Sequence, residues 1–310
     1  MGSLAGRDLL TLATISATEV RDLLATATLL KRDPRRPSLQ GKVLGLLFRK
    51  ASTRTRVSFT AAMAQCGGST IDLMPAVMQV SRGEPIEDTA RVLARYVDVM
   101  AIRTFAQAEL ETFAHYAHIP VINALTDQFH PCQALADLLT IEEAWGSLSG
   151  LTLAYCGDGN NMAHSLMLAA ALTGMHIRVA TPEGFAPDPD VVALATRLAL
   201  QFQTGSQISV LRDPAAAVAG AHALYTDVWA SMGQEDEAAQ RIPLFLPYQI
   251  NAALVALADP QAIVLHCLPA HRGEEITDAV LEGSQSRVWD QAENRLHVQK
   301  ALILHLLDCL

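Results

Sequence analysis

Phe48-Arg49-Lys50-Ala51-Ser52-Thr53-Arg54-Thr55-Arg56-Val57-Ser58-Phe59 is the stretch from which the fold can be read. The run Val43-Leu44-Gly45-Leu46-Leu47 leading into Phe48 has the length and apolarity of a buried strand. Behind the quoted stretch, Val57, Phe59, Ala62, Met63 and Cys66 recur at helical spacing until Gly67-Gly68 stops the run. Ser52, Thr53, Arg54 and Thr55 therefore fall on a strand-to-helix turn. The first N–H groups of a helix have no partner inside it, and its dipole favours an anion there. Hydroxyls add donors, and a guanidinium can grip two phosphate oxygens at once. A capped helix with a solvated basic edge would use some of these residues, but the alternation of hydroxyl and arginine favours a phosphate site.

Working outward, Ser16 with Glu19 three residues later is a capping-box pattern, which predicts a helix over 15–31. Segment 71–85 carries apolar residues without a period and is broken by Pro75 and Gly83, so it reads as a loop. A helix over 90–96, strand 99–102, a helix through Phe113 and Tyr116, strand 121–123 and a helix from Pro131 to about Ala144 follow. Gly146-Ser147-Leu148-Ser149-Gly150 has the composition of a linker. Beyond it come strands 151–155, 177–180, 208–211, 223–225 and 263–266, with helices 163–172, 191–200 and 250–258 among them. A last helix covers about 292–307. Alternating strands and helices predict an α/β protein of two doubly wound parallel-sheet domains. The expected division is 1–146, 147–290 and a C-terminal helix, 291–310, that packs back on the first domain. Ligands of such sheets bind outside the carboxyl ends of the strands. Arg54, Arg103, Asp158, Asp227 and Cys267 all fall there, which predicts a site in the cleft between the domains.

The chain has 310 residues, half of them hydrophobic and 18% charged, enough for a sizeable core in two domains. The net charge is −9 with no basic run, which argues against a nucleic-acid surface. No apolar stretch approaches the roughly 20 residues of a membrane span, and the first residues lack a signal or transit pattern. The cytoplasm is the expected compartment. The five cysteines are scattered and show no metal-ligand spacing, so neither a disulfide framework nor a zinc site is expected.

Other polar groups cluster after predicted strands. His130 precedes Pro131, a residue suited to the first turn of a helix, and Gln133 can serve an amide as donor and acceptor. Gly157-Asp158-Gly159-Asn160-Asn161 has Met162 where a dinucleotide fingerprint needs its third glycine, so an NAD-dependent oxidoreductase is a weaker alternative. Asn160 and Asn161 offer neutral groups to an amino-acid carboxylate. Asp227, in Asp227-Val228-Trp229-Ala230-Ser231-Met232-Gly233, offers a carboxylate to an ammonium.

Ser52-Thr53-Arg54-Thr55-Arg56 resembles the carbamoyl-phosphate loop of the aspartate/ornithine carbamoyltransferases. His130-Pro131-Cys132-Gln133-Ala134-Leu135-Ala136-Asp137 is similar to the family's His-Pro-x-Gln-x-Leu-x-Asp. The Gly157–Asn161 segment, the Ser231-Met232-Gly233 loop and His266-Cys267-Leu268-Pro269 resemble the ornithine-using members. Aspartate-using members read His-Pro-Leu-Pro at the last of these places. The resemblance runs over nearly the whole chain in the family's order, and it implies transfer of the carbamoyl group of carbamoyl phosphate to L-ornithine, giving L-citrulline and phosphate. It implies that Ser52, Thr53, Arg54, Thr55, Gln79, Arg103, His130, Gln133, Cys267, Leu268 and Arg295 bind carbamoyl phosphate. Leu125, Asn161, Asp227, Ser231, Met232 and Cys267 are implied for ornithine, with Arg103, His130, Cys267 and Arg295 in catalysis. No cofactor or metal is implied. The partners implied are the two substrates and further copies of the chain, in a trimer or a multiple of trimers, with Gln79 and Arg82 of segment 71–85 reaching the next subunit. Aspartate, acetylornithine or putrescine as acceptor, and a non-catalytic relative that binds a protein, are the alternatives.

Overall fold

A computed structural model of the chain describes residues 4–74, 83–230 and 238–310. Gln79, Arg82, Ser231 and Met232 lie outside the described residues. The chain divides into two compact units, Met1–Ala136 with Asn294–Leu310, and Asp137–Glu293.

The first unit opens with α1 (Ala17–Arg32), whose capping box is formed: Ser16 Oγ accepts from Glu19 N–H, and Glu19 Oε2 accepts from Ser16 N–H at 2.7 Å. There follow β1 (Val43–Phe48), α2 (Thr53–Gln65), β2 (Ser69–Leu73), α3 (Ile86–Leu93), β3 (Val99–Arg103), α4 (Gln107–Ala117) and β4 (Val121–Leu125). The described strands form a parallel sheet in the order β2-β1-β3-β4. β1, β3 and β4 are buried almost throughout, because helices cover parallel strands and leave them continuously apolar. β2 corrects the sequence reading, in which residues 71–73 belonged to a loop. It is an edge strand, largely exposed, with Asp72 paired to Arg56 of α2, so it shows neither an apolar run nor a clean alternation.

Helix α5 (Pro131–Trp145) carries the chain from the first unit into the second. Next come β5 (Thr152–Cys156), α6 (Asn161–Thr173), β6 (His176–Ala180), α7 (Pro189–Gln201), β7 (Ile208–Leu211), α8 (Pro214–Val218), β8 (Ala223–Thr226), α9 (Ala238–Phe245), α10 (Ala252–Val255), β9 (Ile263–His266) and α11 (Asp278–Leu281). Helix α10 has four residues, shorter than the span 250–258 expected from sequence. The second sheet is also parallel, in the order β7-β6-β5-β8-β9.

Helix α12 (Val288–Leu306) returns the chain to the first unit. Val298, Leu302, Ile303 and Leu306 on it are buried, and Lys300 Nζ donates to Gln65 Oε1 at 2.8 Å and to the Pro34 carbonyl at 3.2 Å. The expectation of two α/β sheets with a C-terminal helix on the first is met.

Candidate functional site

The strand order reverses between β1 and β3 in the first sheet and between β5 and β8 in the second. Outside the carboxyl ends of strands at such a switch point, the connections leave in opposite directions and open a crevice. The candidate residues fall at these two places.

In the first unit, Phe48, Arg103 and Leu125 end their strands in register across β1, β3 and β4. Ser52 is the N-cap of α2 with extended backbone, and its hydroxyl does not cap the helix. That hydroxyl instead accepts from Arg103 Nη1 at 3.4 Å. Thr53 and Arg54 are exposed in the first turn, while Thr55 is buried and its Oγ1 accepts from Arg295 Nη2 at 2.5 Å. Among the described residues Arg54 has no acidic partner, in contrast to Arg56. Arg103, His130, Gln133 and Arg295 are all at least nine-tenths buried. Burial, and then the positive charges of Arg295 and Arg103, hold the His130 imidazole well below its ordinary 6.5. It is neutral at pH 7, and it can donate a hydrogen bond without carrying charge. The first unit thus joins helix N–H groups, hydroxyls, guanidiniums and a neutral imidazole, a donor set for an anion bearing a carbonyl.

In the second unit, Asp227 follows β8 and is 8% exposed. Its Oδ2 accepts from Asn160 Nδ2 at 3.0 Å, and its Oδ1 accepts from Val228 N–H at 2.8 Å and from the Cys267 thiol at 3.0 Å. Asn160 is also the N-cap of α6, its Oδ1 accepting from Met162 N–H at 2.9 Å. Asn161, the ornithine candidate, is the first residue of that helix and half-buried. Leu125 belongs to the first unit. Burial, and then the Asp227 carboxylate, push the Cys267 thiol well above its ordinary 9.0, so it stays protonated and serves as a donor. Asp227, His266 and Cys267 offer three donor atoms within 4.8 Å of one another. As the structure stands, hydrogen bonds already engage the carboxylate, both ring nitrogens and the thiol.

The glycines after β5 serve packing rather than a dinucleotide. A Cβ on Gly159 would lie 2.3 Å from the Pro187 backbone nitrogen and 2.6 Å from the Phe185 carbonyl oxygen. Gly159 N–H in fact donates to that carbonyl at 2.9 Å. The close approach that a pyrophosphate would need is taken by the chain itself. Asp158 beside it pairs with Arg241 at 3.1 Å, and burial pushes its carboxyl up to about 6. The part of Asn160 in holding Asp227 was missed by assigning Asn161 alone; its signal was its place immediately before a helical run, where an asparagine caps.

The two halves of the chain each match a family model. Residues 7–143 match the carbamoyl-P binding domain of aspartate/ornithine carbamoyltransferase, and residues 149–306 match its Asp/Orn binding domain. An ornithine carbamoyltransferase of Nostoc punctiforme is 64% identical over 307 residues, 99% of either chain. That of Thermosynechococcus vestitus is 65% identical over 307 residues, 99% of this chain and 98% of its own. The solved structure of ornithine carbamoyltransferase from Pyrococcus furiosus superposes with a TM-score of 0.96 at 49% identity over the whole of both chains. The one from Gloeobacter violaceus does so with a TM-score of 0.88 at 60% identity, covering 97% of this chain and 98% of its own. With both halves matched and relatives alike end to end, the chain belongs to the aspartate/ornithine carbamoyltransferase family.

Proposed function

We propose that the enzyme transfers the carbamoyl group of carbamoyl phosphate to the δ-amine of L-ornithine, giving L-citrulline and phosphate. The observation that carries this reading is the pairing of chemistries in one chain. One unit presents Ser52, Arg54, Thr55 and Arg103 at a helix N-terminus, and the other presents a buried carboxylate on Asp227, held by Asn160 and a protonated Cys267.

The α2 N-terminus with Ser52, Thr53, Arg54 and Thr55 holds the phosphate, and Gln79 joins it from a neighbouring subunit. Arg103 and Arg295 lie against the same turn through Ser52 and Thr55. The neutral δ-amine attacks the carbonyl carbon, the C=O electron pair moves to oxygen, and a tetrahedral intermediate forms. Thr55, Arg103 and His130 donate to that oxyanion, where preorganised donors act most strongly. Because His130 is neutral, it polarises the carbonyl without repelling the incoming amine. Collapse breaks the bond to the phosphate oxygen, and the departing phosphate takes the amine's proton. Gln133 and the Cys267 and Leu268 carbonyls orient the carbamoyl NH₂. Asp227 binds the α-ammonium of ornithine, with Leu125, Asn161, Ser231 and Met232 completing its contacts. The free amine needs a pKa brought down from about 10.4, and a desolvated cleft lined by guanidiniums disfavours the ammonium.

Val57, Ile71 and Met74 leave apolar side chains exposed around α2 and β2, which supports self-association; a trimer is what the family resemblance implies. Arginine biosynthesis in the cytoplasm is the setting that fits this reaction. Citrulline measured colorimetrically from carbamoyl phosphate with ornithine, aspartate, acetylornithine or putrescine tests the assignment. Ornithine is expected to exceed the other acceptors by more than about 100-fold in kcat/KM, since a site built to pair with an α-ammonium rejects acceptors that cannot place one there. Preference for another acceptor overturns it.

A further inference from the structure

The loop that leaves β9 is held by a buried acid–base pair. His266, the last residue of β9, turns its ring along the chain so that Nδ1 accepts the N–H of Leu268 at 2.8 Å. Its Nε2 lies 2.9 Å from Glu275 Oε1, and that oxygen also accepts the N–H of His271 at 2.6 Å. One carboxylate oxygen therefore ties down both ends of the segment 266–271. The His266 N–H in turn donates to Gln291 Oε1 at 2.9 Å, and Gln291 Nε2 donates to Asp137 Oδ1 at 2.7 Å and Tyr225 OH at 3.2 Å. Both side chains of the pair are fully buried.

Leu268, the residue so held, has φ +57°, a conformation that a branched L side chain adopts only when its surroundings impose it. An apolar pair of the same volume would fill the space but leave the Leu268 and His271 N–H groups without their acceptors. What the pair supplies that an apolar one lacks is a directed acceptor for Leu268 N–H. The hydrogen bonds also fix the tautomer. With Nδ1 accepting, the ring proton sits on Nε2 and is donated to Glu275 Oε1.

We infer that Glu275 and His266 are positioning residues, holding the Cys267–Leu268 backbone at the angle its carbonyls need to accept from the carbamoyl NH₂. This rests on the function proposed above. Neither side chain touches substrate; each acts through the backbone of Leu268.

The test uses the full chain with carbamoyl phosphate and ornithine. No citrulline from the unaltered enzyme would sink the function itself, a separate failure. Given turnover, His266→Phe keeps the ring's bulk but loses the acceptor. It is expected to lower kcat/KM roughly 100-fold, as a displacement of about 1 Å near the reacting atoms does, with the affinity for inorganic phosphate unchanged. His266→Asn places an oxygen near the former Nδ1 and should restore about tenfold of that loss. Turnover in His266→Phe equal to that of the unaltered enzyme, or equal losses in both variants, overturns the inference. Nitrogen-15 NMR of the unaltered enzyme labelled at histidine decides the matter even where His266→Phe fails to fold. The His266 signal, assigned by its loss in His266→Asn, should report a neutral ring with the proton on Nε2. A proton on Nδ1 overturns the inference, since that nitrogen would have no lone pair for Leu268.

Discussion

The turn after β1 and the loop after β8 each lie at the switch point of their sheet, yet they treat charge in opposite ways. In the first unit, guanidiniums gather around hydroxyls, and Arg54 stands exposed with no acidic partner among the described residues. Burial and positive charge there drive the proton off His130. In the second, a carboxylate gathers donors, and burial with negative charge keeps the proton on Cys267. In the first half the exposed Arg54 has no acidic partner among the described residues, which suits it to an incoming anion. The second half is satisfied within itself, so a ligand must join or replace hydrogen bonds that already exist. The difference matches the ligands proposed above: a phosphate brings surplus charge, whereas an α-ammonium needs a carboxylate held in one direction.

The sharpest attempt to break this contrast is Arg54→Lys. The charge stays, but the two-pronged donor is lost, and an ammonium cannot reproduce it. We expect kcat/KM for carbamoyl phosphate to fall about 100- to 1,000-fold, the usual cost of removing a donor aimed at developing charge. Steady-state kinetics of citrulline formation measures it. Turnover close to that of the unaltered enzyme would mean that the first half works by charge alone.

Asp227→Asn probes the other half. Its volume is kept, and the amide can still accept from Val228 N–H and the Cys267 thiol, but the charge proposed to pair with an α-ammonium is gone. A hydrogen bond to a charged group contributes about 1.5–3 kcal/mol, so the KM for ornithine should rise roughly 10- to 100-fold. Carbamoyl-phosphate affinity, measured by isothermal titration, should stay the same. Equal losses for both ligands would reassign Asp227 to a purely structural part.

How much of this was legible in the chain depends on the range of the interaction that fixes each residue. The turn at Ser52–Thr55 could be read directly, because strand length, helical spacing and the chemistry of a helix N-terminus are all local. Pro131 marked the helix that follows His130, but the family resemblance is what singled out His130 itself. The bond from Arg295 to Thr55 spans 240 positions, and nothing in composition or spacing points to it; the family resemblance marked Arg295 for carbamoyl phosphate, not for Thr55. The Asn160–Asp227 bond spans 67 positions. Each residue had a local reason to be polar, and their meeting is a property of the order β5-β8. Strand β2 escaped notice because an edge strand needs no apolar face on either side. Glu275 follows His266 by only nine positions and is fully buried against it, but a Glu beside Arg272 and Glu274 reads as surface.

The contrast between the halves also predicts opposite responses to pH, and this is the smallest effect. For His130 the folded value lies below 6.5 while the unfolded chain titrates near 6.5. As pH falls through 6.5 the unfolded chain takes up a proton that the folded chain refuses. Stability from this group is therefore full above pH 6.5 and is lost by about 1.4 kcal/mol per pH unit below it, down to the folded value. His130→Gln, which cannot take up a proton, should lack this loss. The gap between the two proteins should narrow as pH falls below 6.5, by at most about 1.4 kcal/mol per pH unit. Cys267 behaves in the mirror sense. Its folded thiol titrates above 9.0, so the unfolded chain releases a proton first and stability falls as pH rises past 9.0. Cys267→Ser, whose hydroxyl does not titrate there, should remove that loss. Urea unfolding of the three proteins from pH 5 to pH 10 measures both limbs. Two limbs of the same sign, or a His130→Gln difference that stays constant below pH 6.5, would show that charge is not what separates the two halves.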